Sequence, residues 1–184
     1  MEELKFALDT FYAVMAGALV MWMAAGFTML EAGMVQKKDV SEIVTKNIGL
    51  YSISCIMYLW CGYSLMYPSD AFADFLPVFG SSIGISTSMA LDEIGIPYSM
   101  DYSLQADFFF QVVFVATAMS IVSGAVAGRM KLLPFFIFAI VLTGFIYPVQ
   151  GFWNWGDGFL KSNGYSDYAG SGTVHLCGAA AALA

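Results

Sequence analysis

The chain has 184 residues, 59% of them hydrophobic and only 11% charged, with a mean hydropathy of +0.73. A soluble domain usually carries about 25% charged residues, so this composition excludes an ordinary water-soluble globule and defines an integral membrane protein. The formal net charge of −7 is spread over loops, and with no basic patch to neutralise phosphates the chain is not a nucleic-acid binder.

Between Asp9 and Glu31 no residue is charged, a run long enough to cross a bilayer at about 1.5 Å per residue. It is too long for the apolar part of a signal peptide, and Glu2 and Glu3 precede it where a basic segment would be needed. Further uncharged runs lie between Lys46 and Asp70, Asp107 and Arg129, and Lys131 and Asp157, and a last one follows Asp167. These runs predict an all-α polytopic membrane helix bundle. Helices are expected roughly over 10–30, 47–67, 108–128, 132–152 and 168–184, and the fifth is expected to be cut short at Ala184. The whole of 1–184 then reads as one partial membrane domain in contact with the lipid bilayer.

Lys37, Lys38 and Lys46 surround the first loop, and Arg129 and Lys131 form the third. The positive-inside rule puts both in the cytoplasm and the N-terminus outside, in a multi-pass protein of the cell membrane. The second connection, about Pro68 to Ala106, is acidic and rich in Gly, Ser and Pro; it reads as an outer loop with a short surface or re-entrant helix. Gly17, Ala24 and Gly26, and Gly124 and Gly128 at GxxxG spacing, are expected to let helices approach closely. Pro134 suggests a first-turn proline and Pro148 a break in the fourth helix. Cys55, Cys61 and Cys177 show no metal or disulfide spacing and read as small buried hydrophobes. No residue pattern points to a metal or a cofactor.

The chemistry concentrates between Gly151 and Gly178. An aromatic loop (Phe152, Trp153, Trp155) and a run of glycines lead to the single histidine, eight residues after Asp167. Asp167 either faces a watery vestibule or caps the last helix, where its carboxylate would accept backbone N–H groups; the two readings are compatible. His175 lies about two turns further on. It is either satisfied by a neighbour or lines a cavity, where a neutral imidazole could accept on one side and donate on the other. Trp155, Phe110 and Phe114 form either an interfacial aromatic belt or a π-lined cup for a small cation. Phe110 and Phe114 share a face at i, i+4, with Gln111 between them. Glu31 could snorkel or pair with Lys46.

These residues resemble a known family. Gly26-Phe27-Thr28-Met29-Leu30-Glu31-Ala32-Gly33-Met34, Thr45-Lys46-Asn47, Phe110-Gln111-Val112-Val113-Phe114, Ser123-Gly124-Ala125-Val126-Ala127 and Asp167-Tyr168-Ala169-Gly170-Ser171 leading to Val174-His175 are similar, in order, to the N-terminal half of ammonium transporters of the Amt/Mep/Rh family. Trp60-Cys61-Gly62-Tyr63 matches more loosely, and the long second connection matches least. The resemblance implies the first five helices of an eleven-helix inverted-repeat channel, a homotrimer with one narrow pore per subunit, and ammonium or ammonia as the substrate. It implies that Trp155 and Phe110 lie near an outer recruitment site supported by Asp167. It further makes Phe114 an aromatic gate below that site, and His175 the first of two paired pore histidines. Phe152-Trp153-Asn154-Trp155-Gly156-Asp157-Gly158 departs from the family's usual glycine-rich loop, and Gly128 replaces a usual glutamate.

The leading expectation is transport through this pore. The alternative is a sensor in which the same pocket binds ammonium and signals to a cytoplasmic output domain or partner. With one histidine and no convergent base or nucleophile, an enzyme is not expected.

Overall fold

The computed structural model describes residues 2–68, 71–73, 76–77 and 102–184. Helix α1 spans Glu2–Met34, about 50 Å long at 1.5 Å per residue. It starts well before residue 10, where the acidic Glu3 in its first turn suits the positive end of the helix dipole. After a 3₁₀ turn at Lys37–Asp39, α2 (Val40–Met57) runs through a wide π turn at Tyr58–Gly62 into α3 (Tyr63–Met66). This helix begins before Lys46, because that charge is buried and paired rather than marking a boundary.

A short antiparallel pair, β1 (Ala71–Ala73) with β2 (Leu76–Pro77), sets Ala71 opposite Pro77 and Ala73 opposite Leu76. The surface or re-entrant helix expected in the second connection falls otherwise on residues outside those described. Helix α4 (Leu104–Ala125) begins where Ser103, in extended conformation, accepts the Ala106 N–H on its hydroxyl at 3.2 Å. The Ser103 N–H in turn donates to Thr10 Oγ1 at 3.0 Å, tying this start to α1.

Helix α5 (Leu132–Val141) carries Pro134 in its first turn, as the sequence suggests. The break expected at Pro148 does not occur. A π turn at Leu142–Ile146 precedes α6 (Tyr147–Asn154), and Pro148 falls in the first turn of α6. Widening the helix ahead of the proline accommodates its ring and missing N–H without ending the helix. A short α7 (Phe159–Ser162) follows, and a π turn at Ser171–Leu176 opens into α8 (Cys177–Leu183).

Four of the described helices are long and apolar enough to cross a membrane: Glu3–Met34, Lys37–Met66, Leu104–Ala125 and Leu132–Ser162. The apolar Ser171–Leu183 is shorter. The result is a multi-pass helical membrane bundle. Helix α4 is its central post, packed by α1, α2 and α8, while α5 closes against α2. One core cluster gathers Tyr58, Tyr63, Val113, Val115, Tyr147 and Val174; a second joins Leu50, Met119, Val122, Phe135 and Leu142.

The close approaches agree in part with those expected: a Cβ at Gly17 would lie 2.8 Å from the Phe109 ring and 3.4 Å from the Phe110 Cα, so this glycine lets α1 lie against α4. Among the described residues nothing comes near a Cβ added at Gly26, Gly124 or Gly128. At Gly178, by contrast, a Cβ would lie 2.7 Å from the Ala118 carbonyl oxygen, so a glycine is what lets α8 lie against α4. The three cysteines are half-buried, and the Cys61 thiol lies 3.4 Å from the Gly144 carbonyl it can donate to.

Candidate functional site

The connection from α7 to the last π turn is organised by one carboxylate. Asp167 is 8% exposed, and its Oδ1 accepts the Ser171 N–H at 2.9 Å. Its Oδ2 accepts the Gly172 N–H at 2.9 Å and the Thr173 N–H at 2.7 Å. Three of the donors that a helix start leaves orphaned thus end on one side chain. Burial acts to raise the Asp167 carboxyl, but the hydrogen bonds from Thr173, Gly172 and Ser171 outweigh it and hold the group below its ordinary value. Gly170 makes the geometry possible. Its φ of 76° belongs to the left-handed region, and a Cβ there would press on Val174 at 2.9 Å and the Trp155 ring at 3.3 Å.

The aromatic residues join this cap. Trp155 Nε1 donates to the Asp167 carbonyl at 2.8 Å, fixing the indole against the turn. Its ring meets Phe114 edge-on, with centroids 5.9 Å apart, and Phe114 meets Phe110 edge-on at 5.0 Å. All three rings are half-buried, so part of each is open to the surroundings. Four sequence-predicted residues are therefore in one chain of contacts: Phe110, Phe114, Trp155 and Asp167.

His175 stands apart from it. Its backbone N–H donates to the Gly170 carbonyl at 3.0 Å, five residues back, as in a π turn. Its side chain is exposed and makes no hydrogen bond to the described residues. What joins it to the cluster is the turn that Asp167 caps. A π turn of this kind, often found at functional positions, leaves no signature in composition. Asp157, beside the aromatic loop, is exposed and has φ 63°, unusual for a residue with a side chain.

Two polar clusters are missing from the sequence reading as sites. At the start of α4, Asp107 is 5% exposed and accepts the Tyr63 hydroxyl at 2.7 Å and the Tyr102 hydroxyl at 3.0 Å. At the far end of α4, Glu31 Oε2 accepts from Ser123 Oγ at 2.8 Å and Asn47 Nδ2 at 3.2 Å, and lies 3.2 Å from Lys46 Nζ. Glu31 therefore pairs with Lys46 rather than snorkelling. Lys46 also donates to the Ser123 carbonyl at 2.9 Å and sits 5.2 Å from the Phe135 ring centroid. That carbonyl is near the C-terminus of α4, where a cation offsets the helix dipole. Both clusters rest on charges that, read one at a time, mark helix ends.

A multi-pass helical bundle with a carboxylate-capped turn and a row of edge-on aromatics is the class of protein this geometry defines, and its likeness to solved structures is of the same kind. The structure of a "Sensor Amt Protein" superposes with a TM-score of 0.83 at 29% identity, covering 97% of this chain and 43% of that one. A mutant of Candida albicans Mep2 shares the fold with a TM-score of 0.79. The Ammonium Transporter Family model matches residues 11–184, and the chain belongs to that family. It is 39% identical over 186 residues to a relative from Synechocystis sp. and 35% identical over 193 residues to ammonium transporter Amt2 of Archaeoglobus fulgidus. The alignments cover 99% and 100% of this chain but only 39% and 38% of those relatives, so the chain spans about two-fifths of their length.

Proposed function

We propose that the protein of which these residues are part carries ammonium or ammonia across the cell membrane along a path lined by Phe110, Phe114, Trp155 and His175. The observation that supports this best is the contact chain from Phe110 through Phe114 to Trp155, whose indole is tied to Asp167. A small cation stripped of water is attracted to ring faces by about 0.5–2 kcal/mol each. Asp167 adds a fixed negative charge that has no cationic side chain against it among the described residues. With the N-terminus outside, as the lysine distribution suggests, this end faces the exterior and recruits the ion. His175, on the turn below, then receives the hydrogen-bonding solute. A homotrimer with one path per subunit, and no enzymatic step, complete the reading. Membership of the Ammonium Transporter Family and the name of the Archaeoglobus relative support the choice of substrate.

A sensor is the second reading, favoured by the likeness to the Sensor Amt Protein, with its TM-score of 0.83. Here the same pocket would bind ammonium and signal to a cytoplasmic output domain or partner. An ammonium jump applied to proteoliposomes holding the full-length protein separates the two. Transport gives a sustained current or, for neutral ammonia, a sustained internal pH change, and His175→Ala diminishes it. A brief saturating transient with no sustained flux of either kind would decide for the sensor. Undiminished flux in a well-expressed His175→Ala protein would remove the histidine from the path.

A further inference from the structure

Asp157 occupies a position that suits a carboxylate badly. Its φ of 63° lies in the left-handed region, where a side chain is strained and glycine is at ease. It also follows the C-terminus of α6, which ends at Asn154 and whose dipole repels a negative charge there. The turn imposes both conditions. The Gly158 N–H returns to the Phe152 carbonyl at 3.0 Å, and the Trp153 and Phe159 rings meet edge-on from either side of the turn, with centroids 5.4 Å apart. Nothing among the described residues offsets these costs, because the exposed Asp157 carboxylate has no hydrogen bond and no ion pair there.

What the carboxylate does have is a place beside the aromatic rings. It stands two residues after Trp155, so the two backbones are no more than about 7 Å apart. That is less than the Debye length of about 8 Å at physiological ionic strength, so a charge at Asp157 is felt at Trp155. The stretch from Gly151 to Gly178 has one other carboxylate, Asp167, and one lysine, the exposed Lys161. Without Asp157, Lys161 would cancel Asp167 for an ion approaching from a distance. With it, two carboxylates and one ammonium group leave a formal charge of one negative unit.

We propose that Asp157 is a steering charge, a carboxylate held at a strained turn that draws ammonium toward the Trp155, Phe114 and Phe110 rings without contacting the ion. This deepens the transport reading and rests on it. Steering by an exposed charge acts alike on any small monovalent cation, weakens with salt and leaves the step across the membrane alone. Each of these properties separates it from a binding contact.

The test measures ammonium and methylammonium flux by the full-length protein in proteoliposomes. It is run at low ionic strength and in about 1 M sodium chloride balanced across the membrane, where the Debye length falls to about 3 Å. Asp157→Asn keeps the size of the side chain and its tolerance of the left-handed region while removing the charge. It should raise the half-saturating ammonium concentration about two- to threefold at low ionic strength, the effect of one charge about 7 Å away in water. Methylammonium should shift by the same factor, maximal flux should stay at the wild-type level, and the difference should vanish at high salt. Asp157→Lys reverses the charge and should roughly square the factor. Asp157→Gly, which relaxes the turn, gives the same readings if Asp157→Asn fails to fold. Equal half-saturating concentrations in the wild type and the neutral variant at low ionic strength would overturn the steering role and leave transport standing. So would a shift that persists at high salt or falls on ammonium alone, since either marks a direct contact. A wild type that neither carries nor binds ammonium would instead overturn the transport reading itself, and the steering role with it.

Discussion

Asp167 and Glu31 are both buried carboxylates, 8% and 3% exposed, yet their partners differ in kind. Glu31 has a lysine ammonium 3.2 Å away and takes donors from Asn47 and Ser123, so its charge is cancelled where it sits. Among the described residues, Asp167 is held by backbone N–H groups, from Ser171, Gly172 and Thr173. Dipoles stabilise a charge without neutralising it, and among the described residues no cationic side chain pairs with Asp167 beside the aromatic rings. The neutral pair staples α1 and α2 to α4; under the proposed function the other carboxylate helps recruit the cation.

The comparison breaks most readily at the Glu31 end. Lys46→Met leaves Glu31 buried with no counter-charge and should cost about 3–5 kcal/mol, read as a large fall in thermal stability in detergent or loss of folded protein. Combining it with Glu31→Gln removes the stranded charge and should recover most of the loss. If the single and double variants melt alike, the pair is not the staple described here.

A smaller effect is expected at the other end. Asp167→Ala strands three N–H donors and should lower stability by about 1–2 kcal/mol. Because the folded-state carboxyl lies below its ordinary value, its contribution is fully present above the ordinary carboxylate value of about 3.9. It is lost as pH falls through the lowered value. Melting curves of wild type and Asp167→Ala should therefore differ by a constant amount from about pH 5 to 8 and converge under more acidic conditions. A gap that opens on acidification would reverse the sign and refute the cap.

The least change should come from Asp157→Gly. Releasing a side chain held at φ 63° should stabilise the protein by no more than about 1 kcal/mol, visible as a slight rise in melting temperature. A fall would mean that the Asp157 side chain makes a contact stronger than its backbone strain.

Much of this architecture is legible in the sequence, because a bilayer-length uncharged run has few alternatives to a helix. Charges are the weak point. Lys46 and Asp107 bound uncharged runs and so read as helix ends, yet both lie within helices, since Glu31 neutralises one and Tyr63 and Tyr102 solvate the other. Pairings of that kind join residues up to 92 positions apart, as Ser123 and Glu31 are, and no local pattern announces them. Asp167 is readable as a cap because its partners follow within six residues. The Trp155–Asp167 bond and the π turn at His175 are not readable, because the first depends on how the chain folds back between Trp155 and Asp167 and the second on the turn at Gly170.

The most direct test of the difference between the two carboxylates is the half-saturating ammonium concentration of the full-length protein in proteoliposomes. It is to be measured for Asp167→Asn and for the Glu31→Gln/Lys46→Met pair. If the aromatic end recruits the ion through an uncompensated charge, Asp167→Asn raises that concentration about tenfold and the neutral-for-neutral exchange leaves it unchanged. An unchanged value in Asp167→Asn, with a shift in the Glu31→Gln/Lys46→Met protein, would contradict this division of roles.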